Sequence, residues 1–83
     1  MNLDTRYKVF MIQEAHEDRV EMGIRAKITL PLNVVYKYWS NRSGLNYENL
    51  VLGRRNKVKP KLGLVCQAGI RNGDRLFSMV MEL

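Results

Sequence analysis

From Val20 to Leu30, apolar and polar side chains alternate almost without a break. Val20, Met22, Ile24, Ala26, Ile28 and Leu30 fall on one side; Glu21, Gly23, Arg25, Lys27 and Thr29 fall on the other. A period of two with one polar face predicts a half-buried β-strand whose apolar set meets the core. Upstream, residues 7–14 (YKVFMIQE) are rich in aromatic and β-branched side chains and predict a first strand. The polar stretch Ala15 to Arg19 reads as the turn that joins the two strands in a hairpin.

Pro31 has no N–H to give a ladder and ends the second strand. The period then changes. Leu32, Val35 and Trp39 are spaced i, i+3 and i+7, one face of a helix expected from about Asn33 to Arg42. Asn33 is its expected N-cap and Gly44 its left-handed C-terminal residue. Trp39 anchors the helix to the sheet, while Tyr36, Lys37 and Asn41 are assigned to other faces. Glu48 to Leu52 predicts a short strand stopped by Gly53. The basic segment that follows, with Pro60 in it, predicts a loop or an edge strand. Leu62, Leu64 and Val65 are expected to return to the core. Asn72-Gly73-Asp74 tolerates positive φ at little cost and predicts a tight reversal into a last strand from Leu76 to Leu83.

This order, strand, strand, helix, strand, loop, strand, resembles the ubiquitin-like superfamily from Tyr7 to Met81. Leu32, Val35 and Trp39 followed by Gly44-Leu45 are similar to the ubiquitin helix, with its core apolar residues and then Gly-Ile. Leu50-Val51-Leu52-Gly53-Arg54 looks like that family's third strand, and Val65 with Ala68-Gly69-Ile70 like its short pre-terminal turn. The resemblance implies an α+β fold, a ubiquitin-like β-grasp in which a mixed sheet of four to five strands packs on one helix. Residues 1–83 form a single such domain. Within the superfamily, Gly69-Ile70-Arg71-Asn72-Gly73-Asp74-Arg75-Leu76 looks most like small bacterial YukD-type proteins, which accompany type VII secretion systems.

Two departures from the family bear on function. Modifiers and sulfur carriers end in a mobile Gly-Gly tail that is adenylated and conjugated. Here the sequence reads Met81-Glu82-Leu83 off the strand, so, without a longer precursor, no conjugation or sulfur transfer is expected. The basic segment from Arg54 to Lys61 is not a standard family element.

In ubiquitin-like proteins the solvent face of the sheet often binds partners through an apolar patch. The resemblance carries that role to Val51, Phe77 and Met79, rimmed by Arg54 and Arg75. Leu50, Leu52, Leu76 and Val80 then face the helix. The opposite phase is also open. It would put Phe77 and Met79 in the core and Leu76, Ser78 and Val80 outside, and polar Ser78 speaks for it.

Composition narrows the functional classes. A chain of 83 residues buries only about 60–65% of its unfolded surface, so most of its apolar residues are needed inside. The formal charge is +6 and uneven: residues 1–41 hold six basic and five acidic side chains, residues 42–83 eight and three. Arg54, Arg55, Lys57, Lys59 and Lys61 make a basic patch, opposed by an acidic tip at Glu14, Glu17, Asp18 and Glu21. Such a field steers association without naming the partner. The basic patch reads as a solvated loop, as a contact for an acidic protein, or as a phosphate-neutralising surface for nucleic acid. No base-stacking aromatic lies close to it in sequence.

His16 is the single histidine and Cys66 the single cysteine. The acidic residues around His16 are expected to be a solvated turn, with no metal bound. No positioned pair for acid–base or nucleophilic catalysis is visible, so no enzyme activity and no cofactor are expected. Cys66 is expected to be a buried thiol. One cysteine, no signal-like N-terminus and no apolar run long enough for a bilayer point to the cytoplasm, with no membrane insertion.

The sequence therefore predicts a non-catalytic interaction module or adaptor. Its partner is a protein, acidic around an apolar contact. An electrostatic nucleic-acid binder working through residues 54–61 is the alternative. An uncovered strand edge adds a route to self-association.

Overall fold

The computed structural model describes residues 5–15, 21–54 and 57–81. The element order is β1 (Tyr7–Glu14), β2 (Glu21–Lys27), α1 (Leu32–Ser43), β3 (Leu50–Arg54), β4 (Lys57–Lys59) and β5 (Arg75–Val80), with single helical turns of the 3-10 kind at Tyr47–Asn49 and Val65–Gln67. The strands form one sheet in the order β2-β1-β5-β3-β4. β1 and β5 run parallel, with Ile12 beside Leu76, and the other neighbours are antiparallel. The proposed ends of the hairpin turn, including Val20, His16, Glu17 and Asp18, lie outside the described residues, as does Arg55.

One face of the sheet packs on α1. Phe10, Ile12, Ala26, Leu50, Leu52 and Leu76 meet Leu32, Val35, Tyr36 and Trp39 of the helix, and Met22, Ile24 and Leu30 pack around the margin. The helix stripe is thus i, i+3, i+4 and i+7, because Tyr36 joins the core rather than another face. Its hydroxyl makes burial tolerable: it donates to the Lys59 carbonyl and accepts the Leu52 N–H at 3.0 Å. One side chain of α1 thereby fastens both β3 and β4. Burial raises the Tyr36 hydroxyl pKa above its ordinary value, since the phenolate would lose its water. Trp39 is fully buried, and its indole N–H has no acceptor among the described residues. Its hold on the sheet is apolar packing.

Several local expectations are corrected by tertiary contacts. Asn33 is not the N-cap; Pro31 is, with no side-chain bond. The Leu32 N–H instead reaches the Gly63 carbonyl at 2.9 Å, so a loop distant in sequence caps the helix. Gly44 does end α1 in the left-handed region, at φ 79°. β2 stops at Lys27, where the Leu30 N–H turns back to the Lys27 carbonyl. β3 starts at Leu50 because residues 47–49 form a helical turn, capped by the Asn46 side chain accepting from the Glu48 N–H at 3.0 Å.

Gly53 continues β3 rather than stopping it, paired with Val58 on one side and Phe77 on the other. A Cβ there would sit 2.8 Å from the Lys57 carbonyl oxygen, so the glycine lets β4 close onto β3. Cys66 is exposed, not buried. In that turn Val65 takes the core position, and the Cys66 N–H is spent on the Ile28 carbonyl at 2.9 Å. Leu62 is 85% exposed at the tip of the same loop.

The Asn72-Gly73 turn is also a clamp on β1. The Asn72 side chain accepts from the Val9 N–H, and the Gly73 N–H reaches the Val9 carbonyl, both at 2.8 Å. Gly73 adopts φ 85°, a conformation that costs other residues strain. Asp74 is buried and holds the Arg71 N–H at 2.8 Å through Oδ2. The reversal is thereby built into the start of the parallel β1–β5 pairing.

Candidate functional site

Strand parity sorts the functional candidates onto two surfaces. On β5, Leu76 and Ser78 point to the helix and are buried, while Arg75, Phe77 and Met79 point outward. Of the two phases open from the sequence, the first is therefore the one adopted. Ser78 is accommodated inside because its hydroxyl donates to the Gln13 carbonyl at 3.3 Å. Val80, expected inside, is exposed at the end of β5, beside the strand end at Leu50.

The outer surface gathers Val51, Phe77 and Met79. Met79 pairs directly with Val51, and Phe77 pairs with Gly53, whose other neighbour is Val58. Phe77 is 38% exposed, Met79 44% and Val58 61%, side by side over the buried Leu50, Leu52 and Leu76. A recess of about 300 Å³ bordered by Val51, Val58 and Met81 extends this apolar surface to the sheet margin. Val58 was not singled out from the sequence. Its signal was the alternation Lys57-Val58-Lys59, which places the valine opposite the two lysines.

Arg75 flanks the patch on the outer face and is held there. Its guanidinium donates to the Gln13 side chain and pairs with Glu21 at 3.0 Å, bridging β5 across β1 to β2. Arg54 does not rim this patch. It shares the parity of Leu50 and Leu52, turns to the helix side of the sheet and pairs with Asp74 at 3.5 Å.

The second surface is basic. Register pairs Arg54 with Lys57 and Leu52 with Lys59, so all three cations share the helix side of the β3–β4 margin. There they line a cleft of about 820 Å³, whose other wall is Gln67 to Arg71. Lys61, expected with them, is diverted. Its ammonium donates to the Tyr47 carbonyl at 2.6 Å and lies 4.4 Å from the Tyr47 ring centroid and 5.5 Å from that of Tyr36. Arg71, not singled out from sequence, takes its place at the cleft.

Among the described residues, no group of three or more His, Cys, Asp or Glu side chains gathers as metal ligands. No helix among them is long and apolar enough to cross a membrane.

Neither a protein-family description nor a curated protein matches the sequence. Solved structures match in shape. A ubiquitin of Caldiarchaeum subterraneum superposes with TM-score 0.79 at 10% identity, over 93% of this chain and 96% of that one. The ubiquitin-like domain of Plasmodium falciparum Dsk2 gives 0.75 at 8% identity, over 90% and 99%. ATBAG1, in complex with HSP70, gives 0.71 at 11% identity, over 88% of this chain and 40% of that one. Such distant sequences share architecture alone, and that architecture, one helix against a mixed sheet ordered β2-β1-β5-β3-β4, is the ubiquitin-like β-grasp.

Proposed function

We propose that this protein is a non-catalytic protein-interaction module that binds through the outer face of its sheet. The observation that carries the reading is the contiguous exposure of Phe77 and Met79 beside Val51, directly above a filled core. Contiguous apolar surface of this kind is characteristic of interfaces. An aromatic and a methionine at its centre match the residue types enriched in interface cores. Arg75, pinned by Glu21 and Gln13, borders the contact without having to be ordered on binding. The formal charge of +6 favours a partner that is acidic around its apolar contact. ATBAG1, similar in fold, was solved in complex with another protein, which is consistent with this class of function.

Within that class we place the chain with the YukD-type proteins that accompany type VII secretion. The support is the segment Gly69-Ile70-Arg71-Asn72-Gly73-Asp74-Arg75-Leu76, in which the turn, the β1 clamp and the start of β5 coincide. Affinity capture from nuclease-treated lysate tests both levels. The wild type is expected to retain a discrete protein that folded Phe77→Asp loses, and the narrower reading requires that protein to be a type VII secretion component. Equal retention by both chains would remove the outer face as the binding surface.

A further inference from the structure

The cleft on the helix side of the β3–β4 margin has a chemistry that the outer face lacks. Arg54, Lys57 and Lys59 form one wall and Arg71 projects from the other. Among the described residues no carboxylate lines the cleft; Asp74, beside Arg54, is buried, accepts the Arg71 N–H and lies 3.5 Å from the Arg54 guanidinium. Among the described residues, no carboxylate pairs with Lys57, Lys59 or Arg71. Like charges gathered around one concavity raise its potential, and low-dielectric walls focus that field. The volume, about 820 Å³, is in the range of small-molecule sites, roughly 300–1,000 Å³.

The floor is also open in the right place. Gly69 has no side chain, adopts φ 71°, and a Cβ there would meet the Lys59 ammonium at 3.6 Å. Two guanidinium forks and two ammonium groups suit oxygens spread over more than one phosphorus, because forks bind phosphate bidentately and ammonium groups bind it as point charges. The arrangement does not suit a nucleic-acid strand. The cations converge across a cleft rather than run along a stripe, Lys61 is turned away, and among the described residues no aromatic lines the cleft to stack a base.

We propose that Arg54, Lys57, Lys59 and Arg71 form a binding site for a compact oligophosphate group, such as a di- or triphosphate chain, recognised by its phosphates alone. The site lies on the opposite side of the sheet from Phe77, so it stands or falls separately from the outer-face reading.

Calorimetric titration of the full chain with tripolyphosphate, with ATP in a second arm, tests it. Saturable binding of tripolyphosphate is expected, weakening from about 50 to about 200 mM salt. The Lys59→Ala/Arg71→Ala variant is expected to lose affinity about tenfold or more, while Lys27→Ala, on β2 away from the cleft, leaves it unchanged. Amide shifts in NMR are expected to centre on Gly69 and Arg71. ATP binding no tighter than tripolyphosphate is expected, because only the phosphates are read; markedly tighter ATP binding would overturn recognition by the phosphates alone. If the double variant loses its native circular dichroism, Lys57→Ala provides the same comparison. The proposal is overturned by non-saturable binding, by an equal loss in Lys27→Ala, or by a single-stranded oligonucleotide outcompeting tripolyphosphate at equal phosphate concentration.

Discussion

The β3–β4 hairpin presents two surfaces of opposite character. Val51, Gly53 and Val58 face outward beside Phe77 and Met79, while Arg54, Lys57 and Lys59 face the cleft with Arg71. One short hairpin thus contributes apolar surface on one side and cations on the other. The cause is the pleat, which sends successive side chains to opposite faces. Among the described residues of a segment that looks uniformly basic along the sequence, Arg54, Lys57 and Lys59 share one side and Val58 takes the other. The two surfaces differ in what they demand of a ligand: one offers area and shape with little charge, the other charge around a bare backbone floor.

The comparison is broken most sharply at Phe77. Phe77→Asp puts a charge in the centre of the outer patch, and loss of protein capture by about 100-fold is expected, the scale of a hot-spot residue. Tripolyphosphate titration of the same variant should be unchanged. A parallel loss at both surfaces would mean that they are not independent.

Tyr36 joins the two surfaces, since its hydroxyl holds β3 through Leu52 and β4 through Lys59. Tyr36→Phe leaves a buried N–H and a carbonyl without their partner, and a stability loss of about 2–3 kcal/mol is expected in chemical denaturation. The pH dependence has a definite sign. The folded-state pKa of Tyr36 is raised above 10.0, so its contribution is fully present below the unfolded value. Above it the unfolded chain releases the proton first, and stability falls as pH rises toward the folded pKa. Denaturation of wild type against Tyr36→Phe across that interval should show a steeper alkaline decline in the wild type.

Gly53→Ala probes the hairpin from within. The added Cβ meets the Lys57 carbonyl at 2.8 Å, so β4 must shift, at an expected cost of about 1–2 kcal/mol. Because both surfaces depend on β4, weaker oligophosphate binding and altered NMR shifts at Val58 should appear together. The smallest effect belongs to Arg75→Ala. Its ion pair with Glu21 is solvent-exposed, so less than about 1 kcal/mol of stability should be lost, and less still at high salt.

The sequence was most informative where a single physical rule dominates. Strict alternation marked the helix-facing set of β2, with Ala26 buried and Met22 and Ile24 packed at the margin. The Leu32, Val35 and Trp39 spacing identified the buried stripe of α1, and Asn72-Gly73 marked the reversal. It was less informative where groups distant in sequence compete for one position. Asn33 lost the cap to the Gly63 carbonyl, and Cys66 yielded the core to Val65. Tyr36 could not be assigned inward from its spacing alone, because a buried hydroxyl needs partners, and those are supplied by β3 and β4.

The sequence by itself marked the principal strands, the helix and the last reversal, because period and turn chemistry are local, and it offered Val51, Phe77 and Met79 as outward in one of two open phases. Only the tertiary structure decided which phase β5 adopts, since Ser78 is acceptable inside only with the Gln13 carbonyl within reach. It also decided which cations act together. Arg71 joins Arg54, Lys57 and Lys59 while Lys61 leaves them for the Tyr47 carbonyl and the faces of two tyrosine rings. Charge adds along a sequence regardless of direction, but a binding site depends on convergence, and convergence is a property of the folded chain.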